Sequence, residues 1–207
     1  MPRRTGSSQR WRARQQRDIY VEQANREGWR SRAVFKLEQI QAKERLLAPG
    51  ARVVDLGSSP GGWSQLAAKL VGPSGRVWAI DVLPMDPVPG VEFVLGDFTS
   101  PETLARLREV IGPEGVDLVM SDMAPNISGN RVVDQARSVG LLDEALLFAT
   151  EVLKPGGHLL MKAFQGEGVD ELSRALRERF KTLKLLKPKA SRPESREIYL
   201  LARNYGM

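Results

Sequence analysis

The sequence contains no cysteine, a single histidine and no apolar run long enough to cross a membrane. Without cysteine the chain has no disulfides, no thiolate chemistry and no zinc finger, which is in keeping with a cytoplasmic location. The lack of a long apolar run or a secretory signal indicates a soluble protein that does not associate with membranes. His158 has no sequence neighbour that would make it a metal ligand or a catalytic base, so we expect no metal.

The charge of the chain is concentrated at one end. Residues 1–17 contain six arginines and no acid, whereas the rest of the chain is formally neutral. Clustered cations attract polyanions, so this arm is a candidate for nucleic-acid contact. A second basic group is another candidate and consists of Lys181, Lys184, Lys187, Lys189, Arg192 and Arg196. Judged by charge alone, the arm could equally be a solvent-exposed tail that aids solubility. A mitochondrial transit peptide fits less well, because Trp11 is the only bulky apolar residue of the arm.

After a basic arm at 1–17, a single domain is expected over residues 18–207. Apolar strand patterns at 51–57, 75–82, 91–98, 116–122 and 158–164 alternate with helical patterns at 62–71, 100–111, 136–153 and 168–180. Two further helices are expected near 18–27 and 32–41. This alternation predicts an α/β fold with a mostly parallel sheet and helices on both faces. Two final strand patterns, 181–188 and 196–203, have no helix between them and are best paired as an antiparallel hairpin.

The loop "DLGSSPGGWSQ" follows the first strand and opens a helix. Glycines at 57, 61 and 62 let a ligand approach the backbone, and the helix N-terminus offers free N–H groups to an anion. A glycine-rich loop can also be a plain tight turn, and its spacing is not that of the dinucleotide fingerprint. Asp81 and Asp97 lie at the ends of strands two and three, where carboxylates can accept ribose hydroxyls or an adenine amino group. With Asp122 after strand four, they favour a nucleoside-like ligand.

Several short motifs recur in a known order: "DLGSSPGGWSQ", "DVLPMDP", "GDF", "SDMAPNISG", "KAFQGEG" and "SREIY". In this the chain resembles the FtsJ-like heat-shock ribosomal RNA 2′-O-methyltransferases, from about Tyr20 onward. The resemblance implies a Rossmann-like fold with strand order 3-2-1-4-5-7-6 and S-adenosylmethionine as cofactor. It implies that the cofactor is bound by Gly61, Trp63, Asp81, Asp97 and Asp122. One departure is Ser58-Ser59, where the family often has two alanines.

Four residues are candidates for the chemistry of methyl transfer. Parallel strands four and five end side by side, which predicts that Asp122 and Lys162 are neighbours. If the last strand is antiparallel to strand five, Glu197 begins at the same rim. The resemblance adds Lys36 and implies a catalytic tetrad of Lys36, Asp122, Lys162 and Glu197. Lys162 is expected to be central, either as a neutral base or as a cation that stabilises the forming alkoxide.

The substrate follows from the resemblance. "SDMAPNISG" is similar to the bacterial ribosomal type, which methylates a uridine of large-subunit (23S-type) ribosomal RNA on the assembled subunit, whereas relatives that act on transfer RNA typically read Asp-Gly-Ala-Pro-Asp. Alternatives are a small-molecule methyltransferase, an NAD-dependent oxidoreductase and a non-enzymatic ribosome assembly factor. We expect a cytoplasmic monomer that binds the large ribosomal subunit.

Overall fold

The computed structural model describes residues 18–125 and 128–207, which form one sheet covered by helices. Its strands are β1 (Arg52–Leu56), β2 (Arg76–Asp81), β3 (Val91–Leu95), β4 (Val116–Ser121), β5 (Leu153–Phe164), β6 (Phe180–Leu186) and β7 (Glu197–Tyr205). The helices are α1 (Ile19–Glu27), α2 (Val34–Glu44), α3 (Gly62–Val71), α4 (Pro101–Ile111), α5 (Arg131–Val152) and α6 (Val169–Arg179). No helix among these residues is long and apolar enough to cross a membrane.

The sheet has the order β3-β2-β1-β4-β5-β7-β6, as expected. β1 to β5 are parallel, and β7 runs antiparallel to both β5 and β6. β7 therefore lies inside the sheet, between two strands that precede it in the chain. This arrangement confirms the predicted antiparallel pairing of the last two strands.

Two apolar cores lie on opposite faces of the sheet, which confirms the prediction of helices on both faces. One core packs the sheet against α1, α2 and α3, and the other packs it against α4, α5 and α6. Trp78 belongs to the second core and is fully buried. Side chains alternate between the two faces along each strand, so the face of a site residue follows from its position.

The boundaries of α5 differ from the prediction. The helix begins at Arg131 rather than Ala136, because the Asn130 side chain caps it by accepting hydrogen bonds from the N–H groups of Val132 and Val133. It ends at Val152, one residue before the predicted end at 153. Residues 154–157 belong to the start of β5, which was expected to begin only at 158.

Candidate active site

The catalytic candidates lie on the sheet face that α1, α2 and α3 cover. Met120, Leu160 and Leu201 point into this core. By alternation, Asp122 and Lys162, each two residues after one of them, lie on the same face. Tyr199, paired with Lys162 in the register of β5 and β7, joins them. The fold thus brings side chains of three strands to one rim, beside α2.

Lys162 and Asp122 form a close pair. The ammonium Nζ of Lys162 lies 3.2 Å from Oδ1 of Asp122 and donates a hydrogen bond to the backbone carbonyl of Asp122 at 2.5 Å. The side chain of Lys162 is 8% exposed and that of Asp122 is 17% exposed. The pair is therefore largely shielded from solvent, and one edge of the carboxylate remains accessible. The predicted neighbourhood of the two residues is confirmed.

Lys36 and Glu197 form a second buried pair. Nζ of Lys36 lies 2.8 Å from Oε1 and 2.9 Å from Oε2 of Glu197. The hydroxyl of Ser191 also donates to Oε1, at 2.7 Å. Lys187 donates to the backbone carbonyl of Glu197 at 2.8 Å, which fixes the start of β7. Glu197 is thus held from several directions, and the four tetrad residues gather at one rim as two ion pairs.

Tyr199 connects the two pairs. Its hydroxyl donates a hydrogen bond to Oδ1 of Asp122 at 2.7 Å, and its ring centroid lies 5.9 Å from Nζ of Lys36. Burial raises the pKa of Tyr199 well above its usual value, and the negative charges of Asp122 and Glu197 add to the effect. The phenol therefore stays protonated and remains a donor to Asp122. Sequence reasoning did not single out Tyr199, although the motif "SREIY" contains it.

A cavity of about 880 Å³ adjoins this rim, and we call it the cofactor cavity. Its wall includes Asp81, Asp97 and Asp122, three of the predicted cofactor ligands. Gly57 also lines it, with a positive φ of 75°, and a Cβ there would lie 2.5 Å from Cγ of Met123. The loop after β1 and the loop after β4 can therefore meet only because residue 57 is glycine.

The rim carboxylates are held in place by backbone N–H groups. Asp81 accepts from Ser59 and Leu83, each at 2.8 Å and each on a different oxygen, so both oxygens can still accept a second bond. Asp97 accepts from the N–H and the hydroxyl of Thr99 through Oδ1, which leaves Oδ2 available to a ligand. These hydrogen bonds from Thr99 lower the pKa of Asp97, so this carboxylate is an anion at neutral pH.

Gly61 and Trp63, the other two predicted cofactor ligands, do not line the cofactor cavity. Gly61 is buried in the loop after β1, and a Cβ on it would lie 2.9 Å from Sδ of Met85. The indole of Trp63 is 3% exposed and donates to the carbonyl of Ala33 at 2.8 Å. Trp63 can thus reach a ligand only through its backbone, and its side chain serves the core.

Arg30 ties the loops around the cofactor cavity together. Its guanidinium donates to the carbonyls of Pro60, Asp86 and Pro87, which belong to the loops after β1 and after β2. Its backbone N–H donates to the side chain of Gln65 on α3 at 2.9 Å. The connection between α1 and α2 therefore fastens the glycine loop. The sequence carried no signal for this contact, because it joins loops of unrelated pattern.

Asp55 lies at the base of the same loop and is fully buried. Its Oδ2 accepts from the hydroxyl of Ser64 at 2.6 Å, whereas its Oδ1 has no hydrogen-bond partner among the described residues. Burial raises the pKa of Asp55 to about 7, and the nearby charges of Asp122 and Asp81 act in the same direction. Asp55 therefore changes charge near neutral pH.

The second basic group is partly neutralised within the fold. Lys184 pairs with Glu44 at 2.8 Å, Arg192 lies 3.5 Å from Asp18, and Lys187 is bonded to the start of β7. Arg196 is exposed and also donates to the carbonyl of Gln165. Structural ion pairs thus account for part of this positive charge. The arm at 1–17 lies outside the described residues.

Within the described ranges 18–125 and 128–207, no group of three or more His, Asp or Glu side chains is arranged to hold a metal ion. His158 is half-buried and accepts a hydrogen bond from the backbone N–H of Asn204 through Nδ1. Burial lowers the pKa of His158, and the nearby charge of Arg203 also lowers it. The imidazole therefore has a structural contact at the far end of β5.

Solved structures show the same fold. A protein of Plasmodium falciparum described as a ribosomal RNA methyltransferase superposes with a TM-score of 0.78 and 28% identity, covering 86% of this chain and 98% of that chain. A protein of Streptococcus mutans described as a methyltransferase in complex with SAH, 14% identical, superposes with a TM-score of 0.52 over 77% of this chain and 90% of that chain. The strand order and these likenesses define a Rossmann-like methyltransferase fold.

Sequence comparison gives the family. The profile described as "FtsJ-like methyltransferase" matches residues 29–205. A protein of Alkalilimnicola ehrlichii named "Ribosomal RNA large subunit methyltransferase E" is 52% identical over 205 residues, which are 99% of this chain and 98% of that protein. The chain belongs to the FtsJ-like methyltransferase family. It is therefore a methyltransferase, and its cofactor is S-adenosylmethionine.

The cofactor cavity suits this cofactor. Its volume of about 880 Å³ lies within the range of small-molecule sites. The carboxylates on its wall can accept hydrogen bonds from ribose hydroxyls and amino groups, and their negative charge complements a sulfonium. Phe98 and Leu83 supply apolar surface for an adenine ring.

Proposed function

We propose that the protein transfers a methyl group from S-adenosylmethionine to the 2′-hydroxyl of a uridine in large-subunit (23S-type) ribosomal RNA. The observation that carries the proposal is the Lys162–Asp122 pair, in which a shielded ammonium lies next to a carboxylate on the wall of the cofactor cavity. The name of the relative that is 52% identical supports ribosomal RNA of the large subunit as the substrate.

In this proposal the cofactor is held by Gly61, Trp63, Asp81, Asp97 and Asp122. Asp81 accepts hydrogen bonds from ribose hydroxyls, because its two oxygens are fixed at the end of β2 and each has a free lone pair. Asp97 accepts from the adenine amino group through Oδ2. Gly61 and Trp63 contribute backbone groups at the start of α3, where free N–H groups suit a carboxylate.

When bound, S-adenosylmethionine supplies an activated methyl group on a sulfonium. The protein then has to align the ribose oxygen with that methyl group and to stabilise the charge that develops on the oxygen. Lys162 is the residue placed for this, since its ammonium lies beside the cavity and is oriented by two oxygens of Asp122. We assign Lys162 to hydrogen bonding with the developing oxyanion, and the hydroxyl proton to water.

Lys36 and Glu197 complete the proposed tetrad. Both oxygens of Glu197 accept from Lys36, so the pair is internally neutral and adds no net charge beside Lys162. Lys36 brings a second ammonium to the rim, where it can contact the ribose or its phosphate. We assign the pair to positioning the nucleotide, with Asp122 orienting both Lys162 and the hydroxyl.

The finer substrate assignment is an assembled large subunit rather than naked ribosomal RNA. It rests on the likeness of "SDMAPNISG" to the ribosomal type, of which Asn126 and Ile127 lie outside the described residues. The proposed working form is a cytoplasmic monomer without membrane contact. In support, the large apolar side chains exposed by the described residues are spread over several elements, among them α1, β3, α5 and β6.

The experiment that tests the proposal is transfer of labelled methyl groups to three substrates: unmodified large subunits, naked ribosomal RNA and bulk transfer RNA. The product nucleoside is identified by mass spectrometry after digestion. We expect 2′-O-methyluridine, mainly on the subunits. Label mainly on transfer RNA would overturn the assignment of ribosomal RNA as the substrate. Cofactor binding without label on any of the three substrates would favour a non-enzymatic assembly factor.

The variant that tests the chemistry is Lys162→Ala. We expect turnover to fall by about a hundredfold or more, because the charge beside the ribose oxygen is lost, while cofactor affinity is retained. Substantial turnover in this variant would remove Lys162 from its proposed central role.

A further inference from the structure

A second cavity, of about 400 Å³, opens beside the catalytic pairs, and we call it the side cavity. Ala124 and Pro125 line both the side cavity and the cofactor cavity, so the two share a wall. That wall follows Asp122 directly in the chain. A substrate in the side cavity would therefore lie next to the cofactor and to the Lys162–Asp122 pair.

An aromatic ring forms part of the side cavity. Phe164, at the end of β5, is partly exposed there, and its ring centroid lies 6.0 Å from Nζ of Lys162. The amide of Gln135 on α5 donates to the carbonyls of Phe164 and Glu167, at 3.2 Å and 3.0 Å. The backbone that carries the ring is thus fixed against α5, with the ring close to the ammonium of Lys162.

The polar groups of the side cavity have a consistent chemistry. Arg131 and Arg196 line it and are exposed, so they can reach phosphate oxygens. Ser138, on α5, is 5% exposed and also lines the side cavity. Asp134 is engaged by the N–H groups of Ser128 and Gly129 and is therefore satisfied within the protein. The cavity thus combines an aromatic face, a serine hydroxyl and two guanidinium groups, together with the exposed carboxylate of Glu194.

We propose that the side cavity receives the base of the target nucleotide, which stacks on Phe164. Proteins that recognise unstacked RNA bases use aromatic stacking together with hydrogen bonds to the base edge, and Ser138 supplies such a bond here. The base and the 2′-hydroxyl are attached to adjacent ribose carbons, so a base beside Phe164 brings the hydroxyl to Lys162. This inference rests on the proposed function and adds the subsite that holds the base.

The test compares Phe164→Leu with Phe164→Tyr. Both keep a bulky side chain at this position, whereas only tyrosine keeps an aromatic ring that can stack on a base. The kcat and KM for unmodified large subunits, and the Kd for S-adenosylmethionine, are measured for each variant and for the wild type. We expect kcat/KM of the Tyr variant to exceed that of the Leu variant by about tenfold or more. The cofactor Kd should be the same in both.

Phe93→Leu is the matched control, because Phe93 is also partly exposed and lies on β3, away from the side cavity. It should retain the wild-type kcat/KM. Phe164→Met replaces the Leu variant if that one fails to fold. Equal kcat/KM in the Tyr and aliphatic variants, at any level, would overturn the inference while wild-type methylation stands. A wild type that transfers no methyl group would overturn the proposed function and the inference together.

Discussion

At the scale of single residues, the site depends on Asp122, which receives three contacts from two donors. Asp122 receives the ammonium of Lys162 and the hydroxyl of Tyr199 on Oδ1, and its carbonyl accepts from the same ammonium. The side chains of both donors, on β5 and β7, lie on the same face of the sheet as Asp122. The position of Asp122 is therefore fixed by the fold rather than by the cofactor. This pre-organisation is what an alignment-dominated reaction requires.

Removing the Tyr199 hydroxyl tests this arrangement. In Tyr199→Phe, Asp122 keeps Lys162 but loses one donor, so we expect kcat to fall several-fold and the free energy of unfolding to drop by about 1 kcal/mol. Tyr205→Phe is the control, since its hydroxyl donates to the carbonyl of Thr150 at 2.9 Å, far from the rim. The control should lose similar stability with unchanged kcat. Equal kcat in both variants would show that Tyr199 has only a structural role.

Asp55 predicts a pH dependence of stability. Its pKa in the folded protein is about 7, above its usual value, so the folded state holds a proton that the unfolded state has released. The stabilising contribution is therefore present at low pH and is lost as the pH rises through 7. We expect Asp55→Asn to lose several degrees less in Tm than the wild type between pH 5 and pH 8. Parallel losses in Tm would contradict the buried, protonated state.

The sequence was informative where chemistry follows from strand position. Asp122 and Lys162 could be predicted as neighbours because the ends of adjacent parallel strands meet. Lys36 could be placed only through the family resemblance, since nothing in a helix preceding β1 says which strand end it will reach. Ser191 and Arg30 come from loops, whose paths depend on tertiary contacts that no periodicity records.

At the scale of elements, the connection between α1 and α2 holds together the loops after β1 and β2 through Arg30. Arg30 donates to three carbonyls, and a lysine at this position cannot reproduce that forked geometry. We expect Arg30→Lys to raise the Kd for S-adenosylmethionine by about tenfold, the effect of losing a charged hydrogen bond, with kcat unchanged at saturating cofactor. The measurement is calorimetric titration with the cofactor.

Arg26→Ala is the matched control for Arg30→Lys, because Arg26 is a nearby arginine that is exposed at the end of α1. Its cofactor Kd should equal that of the wild type. If Arg30→Lys also bound the cofactor normally, the loops would be held by their own turns alone.

Most elements could be predicted because apolar periodicity marks buried strands and helices. α3 was expected over 62–71 and is found there. The start of α5 was missed because its first turn is polar and is set by a cap at Asn130. β5 extends back to Leu153, which pairs with Val116 of β4, and a bulge accommodates residues 154–157 with their proline and glycines.

At the scale of the whole molecule, the net positive charge of +6 comes from the six arginines of the arm at 1–17, since the rest of the chain is formally neutral. We expect a chain without this arm to keep its Tm and its cofactor Kd, because the sheet, both apolar cores and the cofactor cavity are formed by residues 18–207. Its KM for large subunits should rise several-fold, with a shallower dependence on salt, since fewer counterions are released. The measurement is kcat/KM at a series of salt concentrations. An unchanged salt dependence would assign the arm to solubility.

The inner position of β7 has a consequence for synthesis of the protein. Glu197 and Tyr199 are translated long after Lys36, yet β7 lies between β5 and β6 and provides part of the catalytic rim. A nascent chain that has not reached this strand has an open gap in its sheet and an incomplete site. We therefore expect fragments from interrupted translation to be inactive, and methyl transfer to begin only when the last strand is inserted.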